Sequence, residues 1–312
     1  MRLSPLLRAL TAETIIDINK LVYPIFVTKG NGGEVPHMPQ IKVHSLETVE
    51  REIEKALKKG IGSFIIFGSY EEKDPEGRTA LKDSAAYLSI KKLKKTFKED
   101  IIVIADVCLC GYTTHGHCGI LMEGKLDHER SAEMLGKVAA HYAEAGADIV
   151  APSAMVNHQV KAIRENLLEN GFKNTVIMAY SAKYASGFYG PFREAVSSAP
   201  SFGDRKAYQM HFLNKKEALI EVEQSIEEGA SIVMVKPALP YLDVINYVSE
   251  RIDIPLAAFN VSGEYSMIMN GIKSGFFTEQ IILEVIGGIF RAGASIVITY
   301  HALQVPDLLE KM

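Results

Sequence analysis

The sequence predicts a (β/α)8 TIM barrel with a short N-terminal arm, and three observations lead there. Eight apolar, β-branched runs recur along the chain, with the near-continuous hydrophobicity of strands buried on both faces of a parallel sheet. Amphipathic helical patterns fill most of the intervals between them. The phrase Ala-Gly-Ala at 145–147 and 292–294, with Glu-Gly-Ala at 228–230, marks recurring helix-to-strand turns. Repeated βα units of this kind close as a barrel.

Taken in order, residues 1–20 form the arm and 21–312 the barrel. The first strand is Leu21–Val27. Gly30–Gly33 lacks the Lys-Ser/Thr and helix start of a phosphate loop and reads as a turn. Glu47–Lys59 sets Val49, Ile53, Ala56 and Leu57 on one helical face, with Gly60 as its stop. Strands Ile61–Phe67 and Ile101–Val107 follow. Asp127–Ala145 carries Ala132, Leu135, Ala139 and Tyr142 at helical spacing and ends at Gly146. Ala147–Ala151 is the fourth strand; Val160, Ile163 and Leu167 repeat the helical pattern before Gly171 and the fifth strand, Thr175–Ser181. Ala218, Val222 and Ile226 precede Gly229 and strand Ala230–Lys236. Tyr241, Val244, Ile245 and Val248 precede Pro255–Asn260, and Ile281, Ile282, Val285 and Ile289 precede Ala294–Tyr300. One stretch, about 184–214, breaks the alternation. It is rich in Gly, Pro, Ser and aromatics, and a connection this long in a compact domain reads as an active-site lid, or else as a surface insertion.

Composition narrows the class. The chain has 312 residues, 47% hydrophobic and 23% charged, with 34 Lys+Arg against 38 Asp+Glu and a net charge of −4. This excludes a disordered chain and argues against nucleic acid as a partner, which calls for a basic patch. No apolar run reaches the roughly 18 residues of a membrane span, and Arg8 interrupts the only apolar stretch of the N-terminus, so no membrane partner and a cytoplasmic enzyme are expected.

The three cysteines, Cys108, Cys110 and Cys118, fall in one stretch. An odd, small number cannot build a disulfide framework. Thiolates suit Zn2+, and three of them leave a fourth tetrahedral position open, as in catalytic sites; a closed structural site would recruit His115 or His117. In such a barrel the active site lies at the C-terminal strand ends. The polar residues there are Asp106, Ser153, Ser181, Lys183, Lys236, Asn260, Ser262 and Tyr300. Lys236 follows Ile-Val-Met-Val directly, and burial with a second cation nearby, Lys183, makes an amine nucleophilic towards carbonyls. The competing reading makes both lysines rim residues paired with a carboxylate such as Asp106. In the lid, Arg193, Arg205, Lys206 and Gln209 stand among Phe188, Tyr189 and Phe192; guanidinium forks match a carboxylate substrate.

These residues lie in motifs that identify a family. DVCLCGYTTHGHCGI at 106–120, YSAKYASGFYGPFREA at 180–195, FGDRKAYQ at 202–209, MVKPALPYLDVI at 234–245 and NVSGEYSM at 260–267 resemble the porphobilinogen synthase (5-aminolevulinate dehydratase) family over nearly the whole chain. The resemblance implies condensation of two 5-aminolevulinate molecules to porphobilinogen with loss of two waters, on the way to haem and other tetrapyrroles. It implies Schiff bases at Lys183 and Lys236, and Cys108, Cys110 and Cys118 as ligands of a catalytic zinc, where other members use magnesium. Arg193, Arg205 and Gln209 match the groups holding one substrate carboxylate, and Ser262 and Tyr300 those holding the other. Asp106 matches an active-site carboxylate and Ser153 a hydroxyl near the first substrate.

Departures from the family pattern are confined. Ser153-Ala154-Met155-Val156-Asn157-His158-Gln159 replaces the usual Ser-Asp-Met-Met-Asp-Gly-Arg, removing two carboxylates and an arginine. Acidic residues of that kind support the allosteric magnesium that many members hold at a glutamate matching Glu221. Pro36-His37-Met38-Pro39-Gln40 also departs from the usual Met-Pro-Gly, and the arm, which wraps neighbouring subunits in the family's octamer, is short, so a homo-oligomer of that size or smaller is expected. A Schiff-base aldolase on the same barrel and a non-catalytic metal-binding relative are the competing readings. An aldolase would leave the thiols surplus, and a non-catalytic relative would not need both lysines and both clamps.

Overall fold

The computed structural model of the chain describes residues 2–69 and 72–311. Its strands are β1 (Leu21–Thr28), β2 (Gly33–Glu34), β3 (Lys42–Ser45), β4 (Ser63–Gly68), β5 (Ile102–Val107), β6 (Leu121–Met122), β7 (Lys125–Leu126), β8 (Ile149–Pro152), β9 (Val176–Lys183), β10 (Ile232–Lys236), β11 (Leu256–Asn260) and β12 (Ile296–Thr299). Its helices are α1 (Pro5–Leu10), α2 (Val49–Leu57), α3 (Ala85–Phe97), α4 (His128–Glu144), α5 (Gln159–Glu169), α6 (Gly190–Ala195), α7 (Lys216–Glu227), α8 (Leu242–Ser249), α9 (Ser262–Lys273), α10 (Ile281–Arg291) and α11 (Val305–Leu309).

Eight of these strands close a parallel barrel in the order β1-β4-β5-β8-β9-β10-β11-β12, and β12 returns to β1 through Leu21↔Val297 and Val22↔Ile298. Each apolar run of the sequence holds one barrel strand. Several strands begin two residues late, because the glycine turn before them takes up the first residues. At Gly146 φ is +104°, its N–H reaches Ala143 O at 2.9 Å and Ala147 N–H reaches Tyr142 O at 3.0 Å. That is the helix-ending hydrogen-bond pattern for which a residue without Cβ is favoured. Gly229 and Gly293 repeat it with φ of +103° and +110°.

The helices pack the apolar faces expected of them. α2 buries Val49, Ile53 and Ala56, and α4 starts where the Asp127 carboxylate accepts from Arg130 N–H at 3.1 Å. Helices α3, α6 and α9 lie where no helical pattern was assigned. The Gly30–Gly33 turn leads into β2, which pairs antiparallel with β3, and β3 extends the sheet beside β1. β6 and β7 make a small hairpin after the cysteine stretch. No helix among the described residues is long and apolar enough to cross a membrane.

Candidate active site

Alternation along the strands and the parallel register carry the polar strand ends to one mouth. β9 and β10 end side by side, with Lys183 and Lys236 as direct register partners. Both are buried, each 5% exposed. Lys236 Nζ sits in an aromatic cage, 4.2 Å from the Phe259 ring centroid, 5.0 Å from Tyr180, 5.2 Å from Phe192 and 5.4 Å from Tyr189. Burial, then the charge of Lys183, pull its pKa down to about 7, against the opposing pull of Asp106 and the thiols. An appreciable fraction of the amine is therefore neutral at neutral pH. Lys183 Nζ donates to the Ser153 carbonyl and lies 5.7 Å from the same Tyr180 ring.

Asp106, near the end of β5, has an enclosed Oδ1 without a hydrogen-bond partner among the described residues. Burial pushes its carboxyl up, while Lys236 and Lys183 hold it down. No ion pair joins either lysine to a carboxylate among the described residues. The rim-pair reading lacks its contact.

The Cys108, Cys110 and Cys118 sulfurs lie within 4.8 Å of one another, and Cys108 to Cys110 measures 3.3 Å. Zn–S bonds of about 2.3 Å at tetrahedral angles need sulfurs about 3.8 Å apart, so the triad fits a zinc ion with little movement. The Cys118 thiol is held well below its ordinary range by hydrogen bonds from the other two, with Arg205 and Lys183 adding to the effect. The histidines take no part in the triad. His117 uses Nδ1 on the Tyr208 hydroxyl and Nε2 on the Phe202 carbonyl, both at 3.1 Å. His115 meets Pro75 O at 3.0 Å through Nε2 and accepts from His117 N–H at 3.1 Å through Nδ1. This leaves the three thiols as the gathered donors among the described residues.

The segment expected to be a lid holds α6, and its Phe192 ring enters the mouth edge-on to Phe67 at 5.0 Å and 5.7 Å from Phe26. The cavity left beside Asp106, Cys108, Cys110 and Phe192 is only about 10 Å³, so Phe192 fills this part of the mouth. Arg205 is buried and donates through Nη2 to Gly116 O at 2.9 Å and Ser198 O at 2.5 Å, while its Nε has no partner among the described residues. Arg193 Nε and both amide atoms of buried Gln209 are likewise unpartnered. Orphaned polar atoms this deep are costly unless something else bonds them. On the opposite side the Tyr300 hydroxyl is also unpartnered, whereas Ser262 Oγ accepts from Phe192 N–H at 3.1 Å and donates to Phe188 O at 3.3 Å.

Glu221 lines a cavity of about 380 Å³ bounded by α5, α7 and residues 206–211, which also meets His158, Gln159 and Glu217 and reaches Tyr180 and Gln209. Burial and the like charges of Glu217 and Glu228 push its carboxyl up. Among the described residues only the thiols gather into a cluster of three metal donors.

Two features escaped the sequence reading. The cage around Lys236 combines Phe259, Tyr180 and lid aromatics, and the aromatic residues scattered through the strand runs gave no sign that they converge. Glu264 is fully buried and accepts backbone N–H bonds from Val261 at 2.5 Å, Leu239, and Ala238 at 3.5 Å, which fastens the loop behind Lys236 to the start of α9. Burial raises its pKa to about 7. Its signal was the glutamate at the third position of α9, the spacing of a capping box.

Similarity to known proteins agrees with this geometry. The family model described as Delta-aminolevulinic acid dehydratase matches residues 1–308. A relative of that name from Archaeoglobus fulgidus is 47% identical over 97% of this chain and 95% of its own. One from Bacillus subtilis is 45% identical over 97% of this chain and 94% of its own. The crystal structure of the Toxoplasma gondii delta-aminolevulinic acid dehydratase (porphobilinogen synthase), in complex with the reaction product porphobilinogen, superimposes with a TM-score of 0.96 at 38% identity, covering 99% of this chain and 90% of that one. With the fold, the paired buried lysines and the thiol triad on one barrel mouth, the chain belongs to the delta-aminolevulinic acid dehydratase family.

Proposed function

We propose that this mouth condenses two 5-aminolevulinate molecules to porphobilinogen with loss of two waters, a step of tetrapyrrole and haem biosynthesis, through Schiff bases on Lys236 and Lys183. The observation that carries the reading is the register pairing of two buried lysines, one with its pKa near 7 in an aromatic cage. Neutral Lys236 attacks the ketone of one substrate, water leaves, and the iminium turns that carbon into an electron sink. Lys183 makes the second iminium with loss of the second water. A carbon beside one iminium gives its proton to a base, for which Asp106, raised by burial, is suited. The enamine bonds to the other iminium carbon and expels that lysine, and the second substrate's amine displaces the remaining lysine, in either order. Arg193, Arg205 and Gln209 hold one carboxylate, and Tyr300 with Ser262 the other, which gives the orphaned atoms of Arg193, Arg205, Gln209 and Tyr300 partners. Ser153 lies against Lys183 and borders the first substrate. Two unlike clamps are what two orientations of one molecule require.

Cys108, Cys110 and Cys118 would hold the zinc, which when bound supplies a Lewis acid at its open position. A regulatory magnesium at Glu221 would have to do without the carboxylates that Ala154 and Asn157 replace. The arm leaves Leu3 94%, Leu6 83% and Leu10 81% exposed, which supports assembly as a homo-oligomer, and cytoplasmic activity is part of the same proposal.

The test is borohydride trapping with 5-aminolevulinate followed by mass mapping. Label on the Lys236 and Lys183 peptides, with pyrrole formed under reducing conditions and zinc, is expected; label confined to surface lysines rejects the reading.

A further inference from the structure

The loop from Thr113 to Cys118 is joined to the lid by a continuous row of contacts. Ser201 N–H donates to His115 O at 3.0 Å, and Arg205 Nη2 to Gly116 O at 2.9 Å. His117 Nε2 faces the Phe202 carbonyl at 3.1 Å, so it must carry the proton. Its Nδ1 then accepts from the Tyr208 hydroxyl at 3.1 Å. The Tyr208 oxygen accepts in turn from Cys118 N–H at 3.4 Å. Gly116 has φ +71°, and a Cβ there would stand 2.3 Å from Ala199 O, so lid backbone rests directly on it.

We propose that this loop is the catch on which the lid closes, with His117 and Tyr208 as positioning residues, so that filling the thiol triad and shutting the lid are coupled. Cys118 belongs to the triad, and its own amide is held by Tyr208. A cation that draws the three sulfurs together fixes the loop backbone. A fixed loop then offers His115 O, Gly116 O and the His117 ring to the lid without further ordering cost. Reciprocity makes a shut lid tighten the triad's hold on its cation.

The inference rests on the zinc reading above, and its test separates the two. Hydrogen exchange of the 198–209 amides is followed with and without zinc, in wild type and in Tyr208→Phe, with bound zinc per chain measured separately. Zinc is expected to slow lid exchange in wild type. Tyr208→Phe should speed it about three- to tenfold in loaded protein, reduce the effect of zinc, and leave barrel-strand amides unchanged. A tyrosine of merely structural value would not alter the response to the metal. Lid exchange indifferent to a filled triad, or a zinc effect of full size in Tyr208→Phe, overturns the coupling. A chain that binds no zinc refutes the zinc reading instead. The catch is then judged on metal-free Tyr208→Phe, where faster lid exchange upholds it and unchanged exchange overturns it.

Discussion

Lys183 and Lys236 stand opposite each other in the β9–β10 register, and their amines lie 5.7 and 5.0 Å from one shared ring, that of Tyr180. Neither has a carboxylate ion pair among the described residues, and at Lys236 burial and the Lys183 charge outweigh the opposing pull of Asp106 and the thiols. Lys236→Arg should abolish turnover, because a guanidinium stays protonated and cannot add to a ketone. Pyrrole formation by that variant at the wild-type rate would contradict the role given to the residue.

The pH response follows from the same pair. With Lys236 lowered to about 7, its amine is charged and inert below that value and neutral above it. Single-turnover trapping at Lys236 should therefore rise with pH through about 7 and level off. Removing the neighbouring charge by Lys183→Gln should move that midpoint upward, since Lys183 is the second cause of the depression. A midpoint that stays put would assign the whole shift to burial.

Glu264 gives a stability signature of opposite sign. Its pKa rises from 4.5 to about 7 on folding, so the folded chain holds more protons between those values and loses stability as pH climbs through them. The slope from one such group is at most about 1.4 kcal/mol per pH unit. Denaturant melts should show Glu264→Gln gaining stability relative to wild type as pH rises from 5 to 7.

Close backbone approach sets a different limit. Gly136 on α4 faces α5, where an added Cβ would lie 2.4 Å from Asn166 Nδ2 and 2.8 Å from Ala162 O. Gly136→Ala should cost about 1–3 kcal/mol by forcing the two helices apart, a loss that outweighs alanine's better helix propensity of about 1 kcal/mol. Thermal unfolding decides it, and an unchanged midpoint would mean that the helices shift freely.

Metal removal is read at the thiols. Chelation should leave Cys108, Cys110 and Cys118 open to a thiol reagent and end turnover, and zinc should reverse both. A reagent that titrates the thiols equally in loaded protein would mean that they do not hold the ion.

The barrel was legible because burial on both faces leaves a run of apolar residues that survives in one dimension. The strand ends were legible for the same reason: a lysine or aspartate directly after Ile-Val-Met-Val or within Ile-Ala-Asp-Val is conspicuous. The glycine after each helix told where a turn falls but not that it consumes two residues of the run. Helix α6 was hidden because a six-residue helix has too few turns to show a period. The contacts of His117 with the lid were hidden for another reason, since they join residues some ninety positions apart. Between zinc ligation and structural bonding, sequence left the histidines open. Both nitrogens of each ring are taken by hydrogen bonds.

Phe192 belongs to the cage around Lys236 and is also part of α6, in the segment proposed as the lid. Lifting it would let water back to the amine, restore much of its hydration and favour the ammonium. On the proposed mechanism, a segment that lifted Phe192 would disarm the amine as it opened the chamber, so sealing and arming would be one event and an iminium formed there would be sheltered from hydrolysis.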